Sequence, residues 1–321
     1  MKVLIAYDGS SYADAALDDL RRAGLPREVE ALVVTVGDVP MTPPPSRYET
    51  YMLALTSQRA TSVLAPVREQ VSQALGEAQG LAAEASRRVW SCFPDWKVRA
   101  EALVGTPSRE LIQKADQWEA DLIVVGSQGR SALGRLFLGS VSKKVATEAR
   151  CSVRVARRGV EKGDDAPPRI IIGVDGSPEA ERAIRAVGGR AWPDETEVRI
   201  ITVDDGVSPT RVAGIVPIAA AMITGCNEEV AVKARTMVEW AAEELRAIGL
   251  EVSVAIEEGD PRRILVEEAR KWGADCIFVG PRRFNSAFEW VRLGSVSTAL
   301  VTNAPCSVEV VRSDEESDKI L

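Results

Sequence analysis

The chain has 321 residues, a formal charge of −7 and no histidine. The acid excess gives the Coulombic term the wrong sign for coating nucleic acid or an anionic membrane. No apolar run is long enough to cross a bilayer, the nearest being "GIVPIAAAMITG" at 214–225, which contains Pro217. Without imidazole, Ser-His-Asp triads and His-ligated zinc are excluded, and proton transfer falls to carboxylates, Lys, Tyr, Cys or water.

The first segment, "MKVLIAYDGS", reads as a buried strand and not as a cleavable signal, because it lacks a full apolar core and a small-residue cleavage site. Helix patterns follow near 11–23, 61–90, 107–118 and 140–149, and strands near 29–36, 97–104, 121–126 and 151–156. The longest helix places Val67, Val71, Leu75, Ala78, Ala82, Ala85 and Val89 on one stripe of 3.6 periodicity. The run "DLIVVG" (121–126) is short, β-branched and unalternating, as in a parallel strand buried on both faces. Behind it, "SVSKKVATEA" predicts a helix that opens on Ser140 as N-cap. Trp118 and Trp272 end matching helices at apolar positions and predict core packing. Cys92, Cys151, Cys226, Cys276 and Cys306 are odd in number with no C-x-x-C pair, which predicts reduced, mostly buried thiols in a cytosolic protein.

From residue 170 the order starts again. Asp8-Gly9-Ser10 is answered by Asp175-Gly176-Ser177, and "GTPSRELIQKADQWEADLIVVG" (105–126) by "GDPRRILVEEARKWGADCIFVG" (259–280). The second long helix carries Ala234, Met237, Ala241, Leu245 and Ile248 on its stripe. We therefore divide the chain into a domain at 1–158, a polar, Pro-containing linker at 159–168, a second domain at 169–312 and a charged, disordered tail at 313–321. Short apolar strands alternating with amphipathic helices predict an α/β fold: two tandem doubly wound, Rossmann-like or flavodoxin-like domains with mainly parallel five-stranded sheets. The last strands, "CSVRVAR" and "CSVEVVR", are candidate edges, and edges tend to pair. Fused copies would then mimic a two-domain dimer within one chain; the sequence leaves a homodimer of whole chains open. The inserts at 37–55 and 205–225 read equally well as mobile lids or as packed connections.

In doubly wound sheets ligands bind outside the carboxyl ends of the strands, where the strand order reverses. The ends here are Asp8-Gly9-Ser10, Thr35-Val36 and Gly126-Ser127. The glycines of Gly126-x2-Gly129-x9-Gly139-Ser140 permit φ > 0 or a close approach to the backbone, and a helix N-terminus behind them attracts anions. The fingerprint G-x-G-x-x-G is not met, and "GRLFLGS" (134–140) has P-loop spacing without its lysine. What remains is a phosphate nest of Gly129, Gly139 and Ser140, or glycines that merely end elements. Asp8 reads both as an Asx cap and as a carboxylate for a ribose hydroxyl or a divalent ion, and the two roles can coexist.

This glycine pattern, with the early Asp8, resembles the ATP-binding signature of the universal stress protein family. The resemblance covers both copies, so the chain resembles a tandem member. The resemblance implies ATP or ADP at the strand ends, in a sheet of strand order 3-2-1-4-5. It implies that Ala6, Tyr7 and Val36 border adenine and ribose, with Val36 offering backbone hydrogen bonds, and that Asp8 contacts ribose or, through Mg, the metal of a bound nucleotide. Gly126, Gly129, Gly139, Ser140, Val141 and Ser142 would hold the phosphates, with Gln128 where many members have histidine. In the second copy Asp175, Val203, Gly280, Gly294 and Ser295 persist, but Arg283 stands where the second glycine belongs. Its expected φ > 0 disfavours arginine. We expect a structural site there, or one for another anion on Arg282 and Arg283. The function implied is that of a cytosolic, ATP- or ADP-binding stress-response regulator, a switch read by a protein partner, with no catalytic residue assigned. Its rivals are a slow Mg-dependent ATPase or phosphotransferase working through Asp8, and a nucleotide-independent scaffold.

Overall fold

The computed structural model describes residues 1–38, 57–129, 138–157, 166–204, 217–281 and 293–312, with the side chains of the two long helices described from 68 and from 232 onward. The first half runs β1 (Lys2–Ala6), α1 (Ser11–Asp19), β2 (Glu30–Asp38), α2 (Ser57–Cys92), β3 (Lys97–Gly105), α3 (Pro107–Trp118), β4 (Leu122–Gly126), α4 (Ser140–Glu148) and β5 (Ser152–Ala156). The second half repeats it as β6 (Arg169–Val174), α5 (Pro178–Gly188), β7 (Glu197–Asp204), α6 (Pro217–Ala247), β8 (Glu251–Glu258), α7 (Pro261–Trp272), β9 (Cys276–Val279), α8 (Ser295–Asn303) and β10 (Ser307–Val310). Proline at the first helical position, where its missing N–H costs nothing, opens α3, α5 and α7. Most of the linker, the tail, Arg282, Arg283 and the greater part of both inserts lie outside the described residues.

All ten strands form one sheet, ordered β3-β2-β1-β4-β5-β10-β9-β6-β7-β8. Each half is a parallel five-stranded unit of order 3-2-1-4-5. The two last strands, read as edges from the sequence, pair with each other antiparallel, placing Arg154 opposite Glu309 between Val153↔Val310 and Val155↔Val308. The two edges thereby close each other.

On one face of the sheet a single apolar core runs through both halves. It takes in Leu4, Leu111, Ile123, Val145 and Val153 from the first and Ile171, Leu265, Ile277, Leu300 and Val308 from the second. On the other face the halves keep separate cores, one under α1 and α2 and one under α5 and α6. The predicted stripe is buried where the helices pack, at Ala78, Ala82, Ala85, Val89, Ala234, Ala241 and Leu245. Ile248 departs from it and is 54% exposed. The helix ends at Ala247, so Ile248 falls past the last turn and Leu250 takes the buried place. Trp118 and Trp272 both pack against the core, and Trp272 also lies beneath the guanidinium of Arg199, 4.4 Å from its ring centre. Cys151, Cys276 and Cys306 are buried, and burial pushes the Cys306 thiol up to about 12, which leaves it unreactive.

Candidate functional site

Both halves end their first strand in the same turn. Gly9 and Gly176 have φ of 76° and 78°, the left-handed conformation that glycine adopts without a Cβ penalty. The turn lets the Ser10 amide donate to Asp8 Oδ1 at 3.0 Å and the Ser177 amide to Asp175 Oδ1 at 3.1 Å. The serine hydroxyls then cap the next helix, accepting from the amides of Ala13 and Ala180. The Asx role of Asp8 is therefore a property of the fold, present in both halves.

The glycine pattern works by close approach. Gly126, Gly129 and Gly139 are not among the residues at positive φ, contrary to the expectation that argued against arginine at the second glycine. A Cβ on Gly126 would stand 2.7 Å from the Tyr12 carbonyl oxygen, and one on Gly280 would stand 2.6 Å from the Glu179 carbonyl oxygen. These strand-end glycines let the first helix of each half cross tightly over β4 or β9. Gly129 differs, because the atom its Cβ would meet is Asp8 Oδ2, at 3.0 Å. Even a methyl group there crowds the carboxylate.

The predicted N-cap shifts by one residue: Gly139 is the cap of α4 and Ser140 its first helical residue. The Gly139 amide donates to the Ser127 carbonyl at 2.8 Å and is not a donor to a ligand. Ser140, Val141 and Ser142 supply the first-turn amides instead, where an α-helix leaves its N–H groups without intrahelical partners. The Ser142 hydroxyl donates to the Gly126 carbonyl at 2.6 Å, tying the helix to the strand end, as Ser297 does to Gly280 at 2.9 Å.

These pieces enclose a cavity of about 470 Å³ at the carboxyl ends of β1, β2 and β4. Ala6, Tyr7, Asp8, Val36, Gly126, Gly129, Ser140, Val141 and Ser142 line it; Gly139, held behind by its bond to Ser127, does not. Thr35, placed at a strand end by the sequence but given no role there, lines the cavity as well; the sequence reading missed Gly37 and Asp38 of β2, Glu77 and Leu81 of α2, and Leu111 of α3. Thr35 is 2% exposed, and its hydroxyl oxygen has no hydrogen-bond partner in the structure. A signal for Gly37 was present: its counterpart is Asp204, and a Cβ on Gly37 would sit 2.8 Å from the Ala74 carbonyl oxygen.

The described lining is acidic, with Asp8, Asp38 and Glu77 and without lysine or arginine. Tyr7 donates to Asp14 Oδ1 at 2.9 Å, and Asp14 is held in turn by Arg88 at 2.6 Å. Burial, followed by that hydrogen bond, pushes the Tyr7 phenol up to about 12. In the second half Asp175 is exposed, Val203 half-buried, Gly280 follows β9, and Gly294 and Ser295 open α8 as cap and first residue. Among the described residues no group of three or more metal-ligating side chains occurs.

Fold and crevice define a tandem doubly wound α/β protein with its cavity at the reversal of strand order in the first half. The family model of the universal stress protein family matches residues 1–157 and again 168–312, and the chain belongs to that family. Among relatives, a universal stress protein of Mycolicibacterium smegmatis is 26% identical over 97% of this chain and 96% of its own length. One from Methanocaldococcus jannaschii is 28% identical over 49% of this chain and 82% of its own. In fold, the chain is similar to a universal stress protein from Archaeoglobus fulgidus, with a TM-score of 0.61 at 19% identity over 98% of this chain and 97% of that one.

Proposed function

We propose that the first half binds ATP or ADP in this cavity, and that occupancy is the state variable of a cytosolic stress-response regulator read by a protein partner. The observation that carries the reading is the convergence, in one cavity of nucleotide size, of a strand-end carboxylate, a glycine facing it and three first-turn helix amides. In this reading the Val34 and Val36 side of β2 borders the base, Asp8 takes ribose hydroxyls, and the amides of Ser140, Val141 and Ser142 receive phosphate oxygens. The Thr35 hydroxyl gains from the ligand the partner it lacks within the protein.

The donor set fits a magnesium nucleotide better than a bare one. Three carboxylates around the cavity oppose a polyphosphate, and a divalent ion arriving with the nucleotide reverses that sign, with Asp8 the carboxylate placed to meet it. Bound Mg²⁺ would supply charge neutralisation. Turnover is expected to be slow at most, since the sequence offers neither histidine nor a P-loop lysine for a phosphoryl transition state. Ligand exchange instead shifts the population of states around the crevice.

Mass spectrometry of small molecules released from freshly purified protein tests this directly. Adenine nucleotide should be released from the wild-type chain and be absent from Gly129→Arg, which drives a side chain at Asp8. Titration calorimetry that finds no ATP or ADP binding, with or without Mg²⁺, would refute the reading.

A further inference from the structure

The seam between the halves has a part that obeys twofold symmetry and a part that breaks it. Arg157 reaches across to the carbonyls of Val301 at 2.5 Å, Thr302 at 3.0 Å and Ala304 at the end of α8. Its counterpart Arg312 reaches back to that of Ala146 near the end of α4 at 2.5 Å and to that of Cys151, just before β5, at 3.5 Å. The Arg157 amide donates to Ser307 Oγ and the Arg312 amide to Ser152 Oγ. Both halves carry this arginine and this serine, and the arginines' acceptors are backbone carbonyls, so two like halves could make bonds of the same kind.

At the axis the halves differ. Arg154 and Glu309 are equivalent positions that face each other. They are 0% and 1% exposed, bonded at 3.2 Å, and flanked by Asp19 on Arg154 at 2.5 Å and Arg190 on Glu309. The equivalents of Asp19 and Arg190 are Ala186 and Ala23. Each half thus brings one anion and one cation in opposite order, and the buried row Asp19–Arg154–Glu309–Arg190 alternates in sign. Two first halves would set arginine against arginine at its centre, and two second halves glutamate against glutamate.

A steric feature beside the row agrees. Gly24 (φ +60°) and Ala191 are equivalent, and the Ala191 amide donates to the Gly24 carbonyl at 2.9 Å. Trp192, held by its indole N–H on the Val187 carbonyl at 2.8 Å, covers Gly24 so closely that a Cβ there would lie 2.5 Å from the ring. Two second halves would press Trp192 onto Ala191, which has that Cβ. Two first halves would offer Leu25 where the indole belongs.

We infer that the β5–β10 seam is a heterospecific surface: each half's last-strand edge accepts the unlike half, of its own chain or of a swapped second copy, and rejects its own kind. Like-charge contact in a desolvated centre and a filled hole are the two repulsive elements that such selectivity requires. The inference stands apart from any ligand.

The test uses the whole chain with a protease site placed within 158–165 and cut after folding. Cut protein is mixed with the same protein grown in heavy nitrogen, and native mass spectrometry reads which fragments pair. Unlike pairs should exceed like pairs by about a hundredfold or more, the ratio expected of several kcal/mol. The triple variant Arg154→Met, Glu309→Met, Trp192→Ala should bring the two kinds of pair within tenfold of each other. Like pairs at their statistical share in the unaltered protein would overturn the inference. In the uncut chain, Gly24→Ala should lower the melting temperature by several degrees and Trp192→Ala should relieve part of that loss; a loss undiminished by Trp192→Ala would overturn it as well.

Discussion

The two halves share their strands, turns and caps but not the lining of their crevices. Asp-Gly-Ser turns, glycines under the first helix and serines tying the last helix to the strand end recur residue for residue. What differs stands at the strand ends: Gly37 against Asp204, Tyr7 against Val174, Gly129 against Arg283. Residues kept in both halves serve the fold in each, so their presence does not by itself tell a binding half from a supporting one. The residues that differ are what can leave the shared carboxylate and helix-tip amides open to a ligand in one half and not in the other.

The largest effects should therefore be equal in the two halves. Gly126→Ala and Gly280→Ala each force a methyl group into the backbone of the first helix, and each should cost about 3 kcal/mol. Urea unfolding measures this; a large loss in one half and none in the other would break the equivalence. Next in size, Asp8→Ala should weaken ATP binding by about tenfold to a hundredfold, the range of a hydrogen bond to a charged group, while Asp175→Ala leaves it unchanged. Titration calorimetry on both variants separates the halves.

Much of this was legible in the sequence, and the reasons differ by level. Fold order followed from apolar periodicity, because a doubly wound sheet buries its strands and the inner stripes of its helices. The glycine loop was placed by its spacing and the strand ends by the doubly wound pattern, while Ala6, Tyr7, Val141 and Ser142 came only from the family resemblance. The geometry of the glycines was not legible, since spacing cannot distinguish positive φ from close approach, nor show that the Gly139 amide is turned to Ser127. Glu77 reaches the cavity only through packing of α2 on β2, which no local pattern encodes. The axis pair Arg154 and Glu309 reads in sequence as ordinary alternation, and only the strand register makes it a contact.

Thr35 sharpens the comparison on a smaller scale. Thr35→Val keeps the shape and removes a buried hydroxyl without a partner, so the ligand-free protein should be as stable as before or more so. If the nucleotide bonds that hydroxyl, affinity should fall about fivefold, near 1 kcal/mol. Lower stability with unchanged affinity would place the partner within the protein. Tyr7, which Val174 replaces in the other half, gives a pH signature. Its folded pKa of about 12 lies above the ordinary 10, so its contribution is complete below pH 10 and is lost as pH rises toward 12. Absorbance titration should find a late-ionising tyrosine in the wild type that Tyr7→Phe removes.

The smallest effect lies far from both crevices. At the ends of α3 and α7 the chain enters the left-handed region, through Glu119 (φ 53°) in one half and Gly273 (φ 67°) in the other. A side chain in that conformation costs about 1–2 kcal/mol, whereas glycine sacrifices about 0.5–1 kcal/mol of chain entropy, so glycine is favoured by about 0.5–1 kcal/mol. The exposed contact of Glu119 with Lys2 at 3.2 Å offsets little of that. Glu119→Gly should accordingly raise the melting temperature by about 1–3 °C, and Gly273→Glu should lower it by a similar amount. Opposite signs of like size would mean that the two helix ends obey one rule and differ only in how well each residue suits it. A loss on Glu119→Gly would mean instead that the first half draws on that carboxylate in a way the second half does not need.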